Sequence, residues 1–302
     1  MVDSSLTWCL LDGQRMGGAV TASNLANGPP KADPKRVLVA SAVVASLFGW
    51  GGAALAQDDS KALAEELANP LAALISVPFF GNYNGEVGSE REGSQWFVNI
   101  QPVVPFDLNP DWHVISRTIL PVMFSQNGLF PGSGSQSGLR DTTEGLYFSP
   151  TRTFNGFTLG AGPIFLLPTA TDELLGAGKW GAGPTGVVVW QGSGWTVGIL
   201  AWHNWSFAGD ADRADVNETF LQPVLAYTTS RAWTFTLQGE DTYNWETGEW
   251  LAPVNFLVSK VVKVGGQPVS IVGGVRYWID SPDTGPHGFG GRLGMTFLFP
   301  AR

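Results

Sequence analysis

The chain has 302 residues, a formal net charge of -9 at pH 7 and a single cysteine, Cys9. Because phosphate backbones repel an acidic chain, we expect no nucleic-acid partner. One thiol cannot form a disulfide framework, and no second cysteine is available for metal binding or nucleophilic chemistry. The sequence has no metal or nucleotide motif either, so we expect no cofactor, no metal site and no catalytic residues.

The N-terminus has the pattern of an export signal. Lys35 and Arg36 precede an apolar run over 37–54, and the small residues of this run end at Ala56. A transmembrane anchor is the alternative, but several glycines dilute the run and its end is typical of a peptidase site. We therefore expect residues 1–56 to be an N-terminal extension and a signal peptide that is cleaved after Ala56.

Residues 57–71 differ in composition from the strand-like segments after them. Ser60 is a suitable N-cap, Leu63 and Leu67 share a helical face, and Pro70 limits the helix. Two interpretations stay open at this point. The segment is either a short helix at the mouth of the following domain or inside it, or a frayed leader to the first strand.

Residues 72–302 predict a closed antiparallel transmembrane β-barrel of about twelve strands, because alternating segments are joined by connections that are short and long in strict turn. The short connections are 107–110, 151–155, 192–194, 230–231 and 265–267. The long connections are 85–93, 125–139, 169–179, 207–216, 246–249 and 281–287. In outer-membrane barrels the tight turns face the periplasm and the longer loops face outward.

Most of the segments have one apolar and one polar face, as strands between lipid and water require. From Trp233 to Trp245, for example, aromatic and aliphatic side chains alternate with threonine, glutamine and glutamate. The polar faces supply the candidate lumen-lining residues Asn99, Gln101, Arg117, Gln238, Glu240, Arg276 and Arg292. Two segments fit poorly: 250–263 has Lys260 in register with apolar residues, and 139–150 is weakly apolar on both faces.

Aromatic residues gather near the ends of the segments, which favours a pair of interfacial belts over ordinary core packing. They are Trp112, Trp180, Trp195, Trp205, Tyr227, Trp233, Tyr243, Trp245, Trp250 and Trp278. Acidic residues occupy the predicted external loops, where they could attract cations or hold divalent ions that bridge lipopolysaccharide phosphates, or could simply be solvated. They are Glu86, Glu90, Glu92, Asp172, Glu173, Asp210, Asp212 and Asp215.

Several strings resemble a bacterial family of outer-membrane barrels that are labelled as transporters and often mislabelled as neuromedin U. They are NPLAALISVP (69–78), ISRTILP (115–121), FLLPTATD (165–172), KWGAGPT (179–185), GGQPV (265–269) and FLFP (297–300). The family is similar to the one linked to the meta pathway of phenol degradation. The resemblance implies an outer-membrane location and transport of small molecules, with hydrophobic or aromatic compounds among the candidates.

The C-terminus departs from the general barrel pattern, because Phe299 is followed by Pro300, Ala301 and Arg302 and does not end the chain. We expect the barrel-assembly machinery to recognise this strand through a slightly internal aromatic residue. The other expected partners are outer-membrane lipid, lipopolysaccharide and a small-molecule solute that the sequence does not identify.

Three functions are compatible with these patterns. The first is a channel or transporter whose lumen is either open or packed, with its arginines and Glu240 forming a constriction or a salt-bridge network. The second is an outer-membrane lipid hydrolase, suggested by His203, Asn204 and Ser206 near one strand end. Residues three apart on a strand point to opposite faces, which argues against this enzyme. The third is a non-conducting structural barrel.

Overall fold

The computed structural model describes residues 57–299. The predicted extension and signal peptide and the last three residues lie outside the described part of the chain. Within residues 57–299, one short helix, α1 (Gln57–Leu67), precedes the strands. Pro70 lies just beyond it, where a helix cannot easily continue because proline has no N–H to donate.

The sheet contains fifteen strand segments, which differ in length but all pair antiparallel. In chain order they are β1 (Ile75–Val87), β2 (Gly93–Ile100), β3 (Val103–Asn109), β4 (Trp112–Asn127), β5 (Ser135–Leu139), β6 (Thr142–Pro150), β7 (Phe157–Leu167), β8 (Lys179–Gly192), β9 (Trp195–Gly209), β10 (Asn217–Thr228), β11 (Trp233–Gly239), β12 (Asp241–Asn244), β13 (Glu249–Val264), β14 (Gln267–Asp280) and β15 (Phe289–Phe299).

These segments make twelve barrel strands, because β2 and β3, β5 and β6, and β11 and β12 are each one strand with a short interruption. Two of the interruptions occur at a proline, which has no N–H to donate to the neighbouring strand. Pro102 lies between β2 and β3. Pro253 lies opposite Glu240, the residue between β11 and β12, and its carbonyl accepts a hydrogen bond from the Glu240 N–H. Strand β1 pairs with β15 and closes the ring. The predicted twelve-stranded antiparallel barrel with a short N-terminal helix is therefore confirmed.

The two ends of the barrel differ as the sequence predicts. At the end called here the turn end, strands are joined by tight turns such as Ser193 and Gly194, with φ of 52° and 85°. Two successive positive φ values are typical of the hairpin turns whose twist matches that of the strands. At the opposite end, called the loop end, the connections are longer.

The outer wall is apolar and is bordered by aromatic rings. Large exposed side chains such as Val197, Leu237 and Leu293 cover its middle, and seven of the ten predicted belt residues are exposed. For Trp278 the prediction was wrong, because this residue is 5 % exposed and shares the inward face of β14 with Arg276. In the described part of the chain, no helix is long and apolar enough to cross a membrane.

Helix α1 packs inside the turn end of the barrel, which resolves the open choice in favour of a docked helix. The residues in this contact are Ala64, Leu74, Ala232, Val261 and Leu298, with Leu63 and Leu67 beside them. An exposed ion pair between Lys263 and Asp59 (3.6 Å) adds to the contact. Burial at this end of the barrel raises the pKa of the Glu66 carboxyl, so protonation of Glu66 favours the docked helix.

The connection between β7 and β8, residues 168–178, folds over the loop end. Asp141, which is 5 % exposed, accepts hydrogen bonds from the backbone N–H groups of Ala170 (3.1 Å) and Ala177 (2.6 Å). Leu175, in the same connection, is fully buried. This connection is therefore anchored against the barrel wall and is not a freely solvated loop.

A ladder of side-chain amides joins the wall to the same connection. Asn84 donates to Gln95 (3.1 Å), Gln95 donates to Gln126 (2.9 Å), and Gln126 donates to the backbone carbonyl of Leu174 (3.2 Å). The ladder crosses β1, β2 and β4 inside the barrel. The N–H₂ groups of the three amides are thereby paired, which ties three strands to the connection at this end.

Candidate functional site

The barrel interior encloses a cavity of about 270 Å³. Helix α1 and the linker after it form one end of the cavity, through Ala64, Leu67 and the segment from Asn69 to Leu74. Inward-facing side chains of the strands form its sides. The strands contribute two kinds of surface, which lie on different arcs of the wall.

The first surface is apolar and is called here the apolar arc. It consists of Tyr147, Ile164, Val189, Leu200, Trp202 and Phe220, one or two inward residues from each of the consecutive strands β6 to β10. Trp202 and Phe220 stack with their ring centroids 5.1 Å apart. Leu71 from the linker packs into the same cluster. A water-filled pore has no need of such a surface, whereas an apolar ligand does.

The second surface, the polar arc, consists of Asn99, Gln101, Arg117, Gln238, Glu240 and Arg292. These side chains lie on the part of the ring that runs from β11 through β15 and β1 to β4. The cavity is therefore amphipathic: its charged side chains all lie on the polar arc, although apolar side chains such as Phe80, Leu257 and Val272 line the cavity from the same strands.

Glu240 is the centre of an ion network on the polar arc. Arg292 binds it with both terminal nitrogens, from Nη1 to Oε1 (2.8 Å) and from Nη2 to Oε2 (2.9 Å), and Arg276 donates to Oε2. The side chains of Arg276 and Arg292 are each 5 % exposed. Such a bidentate guanidinium–carboxylate pair is strong and fixed in direction.

The rest of each arginine is also held. Arg276 Nε donates to Asn255 Oδ1 and Arg292 Nε donates to Asn82 Oδ1, both at 2.8 Å. Gln238 Nε2 donates to Glu240 Oε1 at 2.9 Å. The network is thus held from several sides, and one carboxylate against two guanidinium groups leaves it with a net positive charge.

Three other polar side chains on this arc have no such partners. Arg117, Asn99 and Gln101 line the cavity and make no side-chain hydrogen bond or ion pair with any residue in 57–299. Asn99 Oδ1 is buried without a hydrogen-bond partner there. Buried polar groups are usually satisfied, so three unpartnered side chains on adjacent strands indicate a place where a ligand or water binds.

Of the seven predicted lumen residues, six line the cavity and Arg276 lies directly behind it in the ion network. Their role in permeation stays a prediction.

The sequence prediction did not include the apolar arc. Its signal was present, because in β9 both faces are apolar, with Val197 and Ile199 pointing outward and Leu200 and Trp202 inward.

The three residues behind the hydrolase hypothesis do not converge. The His203 ring points outward, where Nδ1 lies 2.7 Å from Thr219 Oγ1. Asn204 points inward and is fully buried, and Ser206 donates to Asp215 (3.1 Å). The three side chains make no hydrogen bond to one another, whereas a nucleophile and its base must be within hydrogen-bond reach.

No family model matches the chain, and no curated protein matches it. Among solved structures, the chain is similar to an outer-membrane channel from Pseudomonas putida F1, with a TM-score of 0.60 and 14 % identity over 75 % of this chain and 96 % of the other. It also matches the NanC porin (TM-score 0.46, 11 % identity, 74 % and 100 % covered) and outer-membrane phospholipase A from Escherichia coli (0.45, 13 %, 74 % and 92 %). At these identities the likeness shows the fold, an outer-membrane type of β-barrel.

Proposed function

We propose that this protein is an outer-membrane channel or transporter for small molecules that have both an apolar and a polar part. The observation that carries the proposal is the amphipathic cavity inside a closed barrel. A solute with one apolar face can pack against Trp202 and Phe220 while its polar groups meet the amides and charges opposite. The barrel from Pseudomonas putida F1, which resembles this chain with a TM-score of 0.60, is described as an outer-membrane channel, and this agrees with the proposal.

In this proposal the outer wall faces lipid, the turn end faces the periplasm and the loop end faces outward. The apolar wall between two borders of aromatic residues supports the membrane location. The sorting of short turns and long loops supports the orientation. Lipid and lipopolysaccharide would then be the surroundings of the wall and of the acidic loops.

We further propose a transport role without catalysis. A lipid hydrolase needs a nucleophile and a base in contact, and the suggested residues lie on different faces of β9. A purely structural barrel would be expected to fill its interior. The cavity between the apolar and polar arcs therefore favours passage or binding of a solute.

The test is planar-bilayer recording with the purified, membrane-inserted protein. We expect single-channel currents that are interrupted by the neutral amphiphile 4-phenylbutyramide and not by glucose at the same concentration. Trp202→Ala should shorten the interruptions because it removes part of the apolar arc. Trp205→Ala is the matched control, since it makes the same change on the same strand at an outward position that is 50 % exposed.

Two results would contradict the proposal in different ways. A wild-type protein without any channel current would overturn the channel itself. Equal interruption by the amphiphile and by glucose, unaffected by Trp202→Ala, would leave a channel but overturn its preference for amphipathic solutes.

A further inference from the structure

We propose that Arg117, Asn99 and Gln101 form a binding site for the anionic head group of the solute, so that the cavity selects small monoanions with an apolar body. The inference rests on the proposed function and names the class of solute that the same cavity would take. It depends on which polar side chains in the lumen are already engaged and which are not.

The engaged groups are those of the ion network and the amide ladder. Arg276 and Arg292 share the Glu240 carboxylate, and the Nε–H of each binds an asparagine. At the loop end, Gln95 and Gln126 are bound to each other. These side chains are held in place by partners within the wall.

The unengaged groups lie on neighbouring strands of one wall. Arg117 on β4 is opposite Val103, so Gln101 lies two residues and Asn99 four residues along the wall from the position that faces Arg117. None of them bonds through its side chain to a residue in the described range, and all three line the cavity. Since the oxygen and nitrogen of an amide can be exchanged by a flip of the group, Asn99 and Gln101 can each present an N–H₂ donor.

The charge balance favours an anion. Around the cavity three guanidinium groups face one carboxylate, that of Glu240, and this carboxylate is already bound by Arg276 and Arg292. Arg117 has no carboxylate partner in residues 57–299. Its planar fork of N–H donors fits a carboxylate in a bidentate manner, and Gln101 is the nearer of the two amides that could bind a remaining lone pair.

The position of Arg117 also links the head-group site to the apolar arc. Strand β4 pairs with β6, the first strand of the apolar arc, and Arg117 lies opposite Gly145. Gly145 has no side chain to separate the two surfaces, and the ring of Tyr147 covers the position where a Cβ would be, at 2.9 Å. A ligand whose anionic group binds Arg117 can therefore extend its apolar part over Tyr147 towards Trp202.

The experiment compares three probes of the same shape that differ only in charge: 4-phenylbutyrate, its neutral amide 4-phenylbutyramide and the cation 4-phenylbutylammonium. Binding to the full protein in lipid nanodiscs is measured by calorimetry at pH 7.5, with empty nanodiscs subtracted. A charge-assisted bidentate contact predicts that the anion binds about tenfold more tightly than the amide. The cation should bind more weakly than both.

The variant Arg117→Gln should reduce binding of the anion to the level of the amide and leave the amide unchanged. Arg117→Lys should keep part of the preference, because it keeps the charge and loses the fork. Arg152→Gln is the matched control, since Arg152 is an exposed turn residue outside the cavity. Heat-modifiable migration on gels shows whether each variant is folded. If a variant fails to fold, the preference of the wild-type protein for the anion over the amide still tests the inference.

The outcomes separate this inference from the proposed function. Equal binding of anion and amide, with no change in Arg117→Gln, would overturn the head-group site while amphipathic transport stands. A preference for the cation would do the same. If no probe binds and the same preparation carries no current, the proposed function fails and this inference fails with it.

Discussion

Glu240 is the residue on which the electrostatics of the lumen depend. It is the one carboxylate that binds both Arg276 and Arg292, whose side chains are almost fully buried. Two buried guanidinium groups without a counter-ion would repel each other and lose their hydration. The carboxylate therefore serves the stability of the barrel as much as the charge of the cavity.

We expect Glu240→Gln to lower the free energy of unfolding by about 3 kcal/mol, the cost of leaving buried charges without their partner. It should also make the channel more selective for anions, because it removes the negative charge beside the cavity. Urea unfolding in lipid vesicles measures the first effect, and the reversal potential in a KCl gradient measures the second. Glu90→Gln, at an exposed loop position, should leave the free energy of unfolding unchanged; a stable Glu240→Gln protein would contradict the role of the network.

A second carboxylate, Glu144, lies on the outer wall, where lipid is expected. It accepts hydrogen bonds from Ser116 Oγ (2.6 Å) and from Thr118 Oγ1 of the paired strand. On β4 the outward position of Thr118 is midway between Trp112 and Phe124. In the proposed orientation this polar cluster is therefore near the middle of the membrane, where an acidic side chain is costly.

We expect the free energy of unfolding in lipid vesicles to rise by about 1 kcal/mol when the whole cluster is replaced by apolar residues. The triple variant is Ser116→Ala, Thr118→Val, Glu144→Leu. Removing all three groups together leaves no hydroxyl without its acceptor. The double variant that keeps Glu144 should instead be less stable than the wild type, because it deprives the carboxylate of both donors. A triple variant less stable than the wild type would mean that the cluster itself stabilises the barrel.

At the scale of the elements, the attachment of helix α1 depends on Asn69. Asn69 Nδ2 donates to Thr158 Oγ1 (3.2 Å) and Gln191 Oε1 (3.1 Å), while its Oδ1 accepts from the Leu71 N–H (3.0 Å). Gln191 also donates to the backbone carbonyl of Glu65 (2.7 Å). These bonds connect the end of the helix to β7 and β8 at the turn end.

We expect Asn69→Ala to loosen the helix and to raise the rate of maleimide labelling at a probe Ala64→Cys by about tenfold, as the loss of one or two hydrogen bonds implies. Ala64 is 4 % exposed while the helix is docked, and a Cys9→Ser background removes the other thiol. Asn109→Ala, in an exposed turn, is the matched control. Equal labelling in the two variants would mean that packing alone holds the helix.

The strands were predictable because each is recognised from local sequence alone, by turn residues at both ends and by apolar and polar side chains that alternate with a period of two residues. The docking of α1 was not predictable, since the sequence of a helix is the same whether it docks or frays. Docking depends on contacts with residues far along the chain, such as Val261 and the partners of Asn69. The weak segment 139–150 also has an explanation. Its outward face contains Glu144, whose hydroxyl partners are on β4 and are invisible in the segment itself.

The pairing of Glu240 with Arg276 and Arg292 shows the same limit. Alternation predicts that all three face inward, but their contact depends on the register between the strands, which places Asn255 opposite both Gln238 and Arg276 and places Arg292 opposite Gly274. A pattern of alternation within each strand does not set that register. The amphipathic lumen was missed for a related reason. An apolar inward face next to an apolar outward face has no alternation to detect, so β9 gives no sign of which side is the lumen.

At the scale of the whole molecule, the surface and the lumen have opposite charge. The chain has a net charge of -9, and the eight acidic residues predicted for the external loops are all exposed at the loop end, whereas arginines outnumber carboxylates around the cavity. In the proposed channel, an ion that enters from the loop end would first meet a negative mouth and then a positive interior. These two fields respond differently to salt, because exposed charges are screened within a Debye length and buried ones much less.

We therefore expect the selectivity of the channel to change with salt concentration. The Debye length is about 10 Å at 0.1 M and about 3 Å at 1 M, so the acidic mouth attracts cations in dilute KCl and is screened in concentrated KCl. The reversal potential in a fixed KCl gradient should shift towards the chloride potential as the mean concentration rises. In the double variant Glu90→Gln, Glu92→Gln the shift should be smaller, since part of the mouth charge is gone. Cation selectivity that persists at 1 M KCl would contradict a positive lumen.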